Sequence, residues 1–334
     1  MNSLATTWLG LSLRNPLVAS ASPLNRKLDN LRRLEDAGAA AVVLPSLFQE
    51  QIEAEAETLA TRMDAFADSS PEARTYFPTV AGGPYGVGPD RYLDLVRRAT
   101  EAVAIPVVAS LNGSSRAGWI DHARLIEQAG AAALELNMYH VPADLTESGR
   151  DVEARYSEIV QAVCQSVSIP VSVKLTPFLS SIGHFAVTLA AQGASGLVLF
   201  NRLLEPDIDT LRLKLVDRVA LSEPDEMRLP LLWIAMLSGR IEASLAASGG
   251  VSSVTDVVKY LLAGADVVMT TSALLRHDVG YMAVLANGLR DWVAAREIGG
   301  LDAIRGMMSW RRGADRGAYT RANYLRILER SVAL

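Results

Sequence analysis

The chain has 334 residues, of which 50% are hydrophobic and 21% are charged, and its net charge is −5. This composition is ordinary for a globular protein and excludes a disordered chain, a collagen-like chain and a coiled-coil rod. No basic excess is available to neutralise phosphates, so nucleic acid is not expected as a main partner. A single cysteine excludes an internal disulfide framework and a cysteine-rich zinc site.

The amino terminus and the apolar segments predict a soluble, cytoplasmic protein. Residues 1–16, MNSLATTWLGLSLRNP, lack the basic start and the long apolar run of a signal peptide. No apolar run reaches the ~18 residues that a membrane helix needs. The apolar segment 229–237, LPLLWIAML, is predicted to be a buried strand.

A repeated junction organises the chain. Four times a glycine follows an amphipathic helical stretch and precedes a continuous apolar run, as in GAAALELN. These glycines are Gly38, Gly130, Gly193 and Gly264. Glycine ends a helix in the left-handed conformation at little cost, and a continuous apolar run is typical of a parallel strand covered on both faces.

Taken in chain order, these junctions predict eight parallel strands with helices between them. The strands are expected at 16–21, 40–45, 106–111, 131–137, 170–175, 195–200, 244–248 and 266–271. Apolar residues spaced i, i+3, i+4 predict helices over 151–167, 181–192 and 253–263, among others.

The number and spacing of these elements predict an α/β fold of the (β/α)8 TIM barrel type. Equivalent junctions fit units of roughly 32 residues, and the wide interval after Gly38 places an insertion near 45–78. We therefore expect residues 1–334 to form a single barrel domain with a C-terminal helical extension from about 290. A doubly wound open sheet is the alternative, which the absence of a G-x-G-x-x-G in the first unit disfavours.

Barrel active sites lie at the C-terminal ends of the strands. The predicted strand ends carry uncharged hydrogen-bonding groups, one lysine and one histidine. They carry neither a carboxylate cluster nor a set of histidines. No metal site and no glycosidase pair of carboxylates is therefore expected.

The last two strands end in small residues before helices, which favours phosphate binding. Ser248, Gly249 and Gly250 close one strand, and Thr271 and Ser272 close the next. Small residues let backbone N–H groups approach a phosphate. The alternative is that the glycines only form a tight turn.

Lys174 closes the fifth strand inside an apolar barrel, where a lone ammonium is costly without an anionic partner. It could form a Schiff base, as in aldolases, or stabilise the negative charge of a reduced flavin. A purely structural lysine is the third alternative.

Several segments together resemble the dihydroorotate dehydrogenase family, class 1 more closely than class 2, over about 16–290. They are NPLVASAS at 15–22, ELNMYH at 135–140, SVKLTPF at 172–178 and SGGVSSVTDVVKYLLAGADVVMTTSALL at 248–275. The resemblance implies an FMN-binding barrel that oxidises dihydroorotate or a related dihydropyrimidine-like substrate, in pyrimidine biosynthesis. Proton abstraction would accompany hydride transfer to flavin N5.

The resemblance also implies which residues contact the ligands. The FMN contacts would be Ala19, Ser20, Asn112, Asn137, Lys174, Ser248, Gly249, Gly250, Thr271 and Ser272. Asn137 and Asn201 would bind the substrate. The resemblance also allows a homodimer and an electron-acceptor protein as partners.

The chain departs from the family pattern mainly on the substrate side. The family's catalytic Cys or Ser is replaced by His140, and the family lysine of the second strand aligns with Pro45. The family's substrate loop is replaced by AGGPYGVG at 81–88. His140 is the candidate base, because a neutral imidazole accepts a proton near pH 7, with a pocket-lining role as the alternative. Tyr139 is a second candidate, but neighbouring strand residues point to opposite sides, so only one should face the ring.

Two other functions stay open. Loss of the family's substrate residues would suit an FMN-binding protein without dihydroorotate activity, acting in electron transfer or regulation. A flavin-free lyase that uses Lys174 as a Schiff base is the third hypothesis.

Overall fold

A computed structural model describes residues 4–48, 89–112, 116–139, 141–202, 207–216, 220–313, 316–319 and 328–329. In chain order the strands are β1 (Thr6–Trp8), β2 (Leu11–Leu13), β3 (Leu17–Ala19), β4 (Ala41–Phe48), β5 (Val107–Asn112), β6 (Ala133–Asn137), β7 (Val171–Leu175), β8 (Gly196–Leu199), β9 (Asp207–Asp209), β10 (Lys214–Val216), β11 (Ser244–Ser248) and β12 (Val267–Thr270).

Eight of these strands close a parallel barrel in the order β3-β4-β5-β6-β7-β8-β11-β12. Every neighbouring pair in it is parallel, and β8 pairs with β11 across the connection that contains β9 and β10. The (β/α)8 prediction is confirmed, and each predicted barrel strand is found within a few residues of its expected position.

The second barrel strand is the one that differs most from its prediction. β4 runs on to Phe48, so residues 45–48 lie in the sheet and not in the predicted insertion. Its pairing with β5 shifts register between Val43 and Ser46, a bulge that accommodates Pro45 within the strand. The rest of the predicted insertion lies outside the described residues.

The helices of the described chain surround the barrel. They are α1 (Leu28–Asp36), α2 (Pro89–Ala102), α3 (Arg116–Gln128), α4 (Gly149–Ser166), α5 (Ile182–Ala191), α6 (Arg228–Leu237), α7 (Val254–Ala263), α8 (Ser272–His277) and α9 (Tyr281–Ala294). Beyond Ala294 the described chain includes 3-10 helices at Leu301–Ala303 and Arg316–Tyr319. The helical extension from about 290 stays a prediction.

The prediction that 229–237 is a buried strand was wrong, because these residues lie in α6. Ile234 and Ala235 are buried, whereas Leu229 is exposed, so the segment buries one helical face. A short run of continuous apolar residues has no periodicity that separates a strand from a helix, which explains the error.

The amino-terminal end of the barrel is filled by apolar side chains. The hairpin of β1 and β2 places Trp8 and Leu9 against inward-facing residues such as Val198. Leu9 occupies the space left by Gly196, where a Cβ atom would stand 2.4 Å from Leu9 Cδ2. Burying each such leucine or valine contributes roughly 1.5–3 kcal/mol to stability. The layer above it, toward the carboxyl ends of the strands, is polar.

Candidate functional site

The predicted site residues that the structure describes lie at the carboxyl ends of the barrel strands, around one mouth. β3, β5, β6 and β7 bring Ser20, Asn112, Asn137 and Lys174 there, all at most 9% exposed. Ala19 has a different environment, because its side chain packs among the outer core residues and leaves only its backbone for a ligand.

Hydrogen bonds join five side chains from four strands or strand ends into what we call the amide chain: Asn201, Asn137, Ser46, Ser110 and Glu135. Asn201 Nδ2 donates to Asn137 Oδ1, and Asn137 Nδ2 donates to Ser46 Oγ at 2.9 Å. Ser46 Oγ and Ser110 Oγ are 2.8 Å apart, and Ser110 Oγ donates to Glu135 Oε1 at 3.3 Å. The structure thus brings the two predicted substrate amides together and adds Ser46, Ser110 and Glu135, which were not predicted.

Lys174 has the anionic partner that its burial requires. Its Nζ lies 3.9 Å from Glu135 Oε1 and 3.4 Å from Ser20 Oγ. Glu135 has no exposed surface, and its Oε2 has no hydrogen-bond partner among the described residues. An unpaired buried polar atom costs about 1–3 kcal/mol, so a carboxylate kept here points to function. Its acidic side chain within the apolar run ALELN was the signal available in the sequence.

Tyr92 extends the polar layer outward from Ser110. Its hydroxyl accepts from Ser110 N at 2.8 Å and donates to Ser110 O at 3.0 Å. Burial, together with the nearby Glu135 carboxylate, raises the pKa of Tyr92 well above its ordinary value, although the bond to the Ser110 backbone opposes this. Tyr92 is therefore a neutral hydroxyl in this network.

The predicted phosphate residues form two neighbouring loops, the rim loops 248–253 and 270–272. Gly249 and Gly250 have φ of +102° and +70°, in the region that favours glycine. A Cβ on Gly249 would meet nothing within 4 Å, whereas one on Gly250 would stand 2.9 Å from Glu223 O. Gly249 therefore borders open space that an anion could occupy, and Gly250 allows close packing behind it.

Ser222, which was not predicted, holds the rim loops together. Its Oγ lies 2.9 Å from Ser272 Oγ and accepts from Gly250 N at 3.3 Å, while its own N–H donates to Ser272 Oγ at 3.0 Å. Thr271 Oγ1 donates to Ser20 O at 3.1 Å. Ser222 lies after β10, far in sequence from both loops, so no local pattern indicated it.

Helix α7 begins directly after the first rim loop and is capped at its start. Asp256 accepts hydrogen bonds from the backbone N–H and the hydroxyl of both Ser252 and Ser253. Burial opposes ionisation of Asp256, but these hydrogen bonds and Lys259 outweigh it and lower the pKa of its carboxyl. The cap fixes the loop that carries Gly249.

The residues present fit a phosphorylated flavin. Open space beside a left-handed glycine suits a phosphate, and a buried ammonium suits the electron-rich edge of a reduced ring. Among the described residues, no cluster of three or more His, Cys, Asp or Glu side chains could hold a metal ion. No helix in the described part of the chain combines the length and apolarity of a membrane span.

The predicted base, His140, and the loop 81–88 lie outside the described residues. β6 ends at Asn137, and Tyr139 N donates to Asn137 O at 2.9 Å in a turn. Tyr139 therefore follows the strand, and the prediction that only one of Tyr139 and His140 faces the ring stays a prediction.

Comparisons with known proteins give one consistent family. Residues 83–292, more than half of the chain, match the family model for dihydroorotate dehydrogenase. A putative dihydroorotate dehydrogenase A (fumarate) from Aeropyrum pernix is 30% identical over 204 residues, which cover 60% of this chain and 66% of the relative.

Two further relatives cover more of the chain. The catalytic subunit of a dihydroorotate dehydrogenase B (NAD(+)) from Thermoplasma acidophilum is 26% identical over 281 residues, 82% of this chain and 88% of the relative. The corresponding subunit from Methanocella arvoryzae is 27% identical over 301 residues, which cover 89% of this chain and 95% of the relative.

Proposed function

Because the chain belongs to the dihydroorotate dehydrogenase family, a family of flavin-dependent dehydrogenases that act on CH–CH bonds, we propose that it oxidises dihydroorotate or a related small dihydropyrimidine with FMN as cofactor. The observation that carries this proposal is the buried Lys174 ammonium at a mouth whose rim loops offer open space beside Gly249. A cytoplasmic location and a homodimer complete the proposal.

We assign the cofactor to both sides of the mouth. Ser248, Gly249, Gly250, Thr271 and Ser272 would hold the phosphate, and Lys174 would face the electron-rich edge of the ring. When bound, FMN supplies a ring that accepts hydride at N5. Ser20 would keep Lys174 in place, since its hydroxyl lies 3.4 Å from Nζ. Ala19 and Asn112 would contribute from the strand ends β3 and β5.

Substrate would be oriented by Asn137 and Asn201, whose amides are already bonded to each other. Asn112 Nδ2 donates to Asn137 O at 2.8 Å and fixes the backbone from which the Asn137 side chain projects. His140, three residues further along the chain, would remove the substrate proton.

Purification followed by identification of the bound cofactor tests this function. We expect a yellow protein that releases FMN, with flavin absorbance that bleaches when dihydroorotate is added without oxygen. If dihydroorotate does not bleach the flavin, a panel of other dihydropyrimidines is tested to identify the substrate. The relatives' names differ in the electron acceptor, fumarate or NAD(+), so reoxidation is followed with both and with a protein acceptor.

An FMN-binding protein without dihydroorotate activity is the second candidate. It is favoured by Pro45, which stands in β4 where the family pattern has a lysine and offers no side-chain donor. FMN that stays oxidised with every dihydropyrimidine would support this candidate. The Schiff-base lyase is disfavoured, because an ammonium paired with a carboxylate is not a nucleophile.

A further inference from the structure

Glu135 is a carboxylate in the middle of the barrel interior that the proposed chemistry does not use. It faces inward between Ser110 of β5 and Ser172 of β7, its neighbours in the strand register. Beneath it lies the apolar layer to which Ala133 and Val108 belong. Apart from Ser110 on the neighbouring strand, the partners open to the carboxylate therefore lie toward the mouth.

Toward the mouth, Glu135 approaches Lys174. Their charged atoms are 3.9 Å apart, Glu135 is fully buried and the Lys174 side chain is 10% exposed. Charges interact more strongly in such a site than at the surface, because little water screens them. Glu135 therefore influences both where the ammonium lies and how much of its positive field reaches the mouth.

Glu135 also fixes the direction of the amide chain. A carboxylate only accepts hydrogen bonds, so Ser110 must donate to it, and Ser46 must then donate to Ser110. Ser46 is left to accept from Asn137 Nδ2, which turns Asn137 Oδ1 toward Asn201 Nδ2. The orientation of both amides at the mouth follows from the carboxylate at the buried end.

We propose that Glu135 is a positioning residue of the site, which holds Lys174 and orients Asn137 and Asn201 from beneath. This inference rests on the proposed function, since it assigns Lys174 to the flavin. By offsetting the lysine charge, Glu135 keeps the potential of the bound flavin below the value that an unpaired lysine would set.

The test is the midpoint potential of the FMN-loaded protein in Glu135→Gln, Lys174→Met and the double variant. We expect Lys174→Met to lower the potential and Glu135→Gln to raise it. Glu135→Gln should raise it less in the Lys174→Met background, because only the direct effect of the charge then remains. The surface variant Glu158→Gln is the matched control and should leave the potential unchanged.

Two results would overturn the role of Glu135 while leaving the proposed function intact. One is a Glu135→Gln protein with the parental potential, even if it is less stable. The other is an equal shift in both backgrounds, which would mean that Glu135 does not act through Lys174. Should Glu135→Gln not fold, Glu135→Asp keeps the charge one methylene further from Lys174 and should give a smaller shift in the same direction.

A parent chain that binds no flavin would instead overturn the proposed function, and the flavin role of Glu135 with it. Denaturant unfolding of the same variants without flavin separates the two failures. If the carboxylate and the ammonium are partners, the double variant loses less stability than the two single variants together.

Discussion

At the rim loops, the atoms that would face a ligand belong to backbone and small hydroxyl groups close together in sequence. In the amide chain they belong to side chains from four strands or strand ends, joined by bonds that end on one buried carboxylate. The rim loops can therefore keep their shape while the rest of the mouth changes. In the amide chain, each member is the hydrogen-bond partner of the next, so a substitution at one member removes a partner from its neighbour. Under the proposed function, this difference would let the side that holds the cofactor match the family pattern while the side that holds the substrate departs from it.

The largest effect is expected at the rim loops, where Gly249→Asp would place a carboxylate in the space assigned to the phosphate. We expect the variant to retain no FMN after gel filtration, measured as flavin absorbance per protein. Gly249→Asn has the same shape without the charge and should retain more. Gly10→Asp is the control for backbone strain, since Gly10 also has positive φ and open space, at the other end of the barrel. If Gly249→Asp binds as much FMN as the parent, the phosphate does not bind at this loop.

On the substrate side, His140→Ala should slow flavin reduction by roughly 10²–10⁴-fold and leave FMN bound. Stopped-flow bleaching under anaerobic conditions measures this rate. In the parent the rate should rise with pH and level off above ~6.5, the ordinary pKa of imidazole, as the base becomes neutral. Tyr139→Phe is the companion variant and should react at the parental rate. If Tyr139→Phe reacts slowly and His140→Ala reacts at the parental rate, Tyr139 is the group that accepts the proton.

Lys174→Met tests the buried ion pair between Lys174 and Glu135. Removing the ammonium leaves Glu135 buried without its ion-pair partner, which should lower the free energy of unfolding by about 3 kcal/mol. Denaturant titration of the flavin-free protein measures this loss. Lys214→Met, at an exposed position of β10, should cost no more than about 0.5 kcal/mol. Equal stability of the two variants would show that the buried pair contributes little.

The smallest effect concerns the cap beneath the first rim loop. Asp256→Asn should lower the free energy of unfolding by about 1–2 kcal/mol at pH 7. The folded pKa of Asp256 lies below its ordinary value of 3.8, so the ionised carboxylate stabilises the fold above that value and the benefit is lost as pH falls. The difference in free energy of unfolding between parent and variant should therefore become smaller below about pH 4. A difference that stays constant with pH would mean that the carboxylate charge is not involved. Asp29→Asn, on the exposed start of α1, is the control.

The barrel and the rim loops could be predicted because their signals are local. A glycine before each apolar run marks the junctions, and SGG and TTS follow their strands directly. The prediction of a strand at 229–237 was wrong because it also rested on a local signal. A short apolar run does not by itself show whether a strand or a helix forms. Ser222 escaped prediction because its partner is distant in sequence, whereas Glu135 was visible as an acid in an apolar run but its partner was not. Ser222 bonds Ser272, 50 residues away, and the partner of Glu135 lies on a different strand.

The filled amino-terminal end of the barrel has a kinetic consequence. With Leu9 seated over Gly196, apolar side chains fill the amino-terminal end of the described barrel, so under the proposed function both half-reactions would use the mouth at the carboxyl ends of the strands. The oxidised product would then have to leave before an acceptor that uses the same opening could approach. Initial rates measured at several acceptor concentrations should give parallel double-reciprocal lines for a small acceptor such as fumarate. Orotate, the product of dihydroorotate oxidation, should compete with that acceptor.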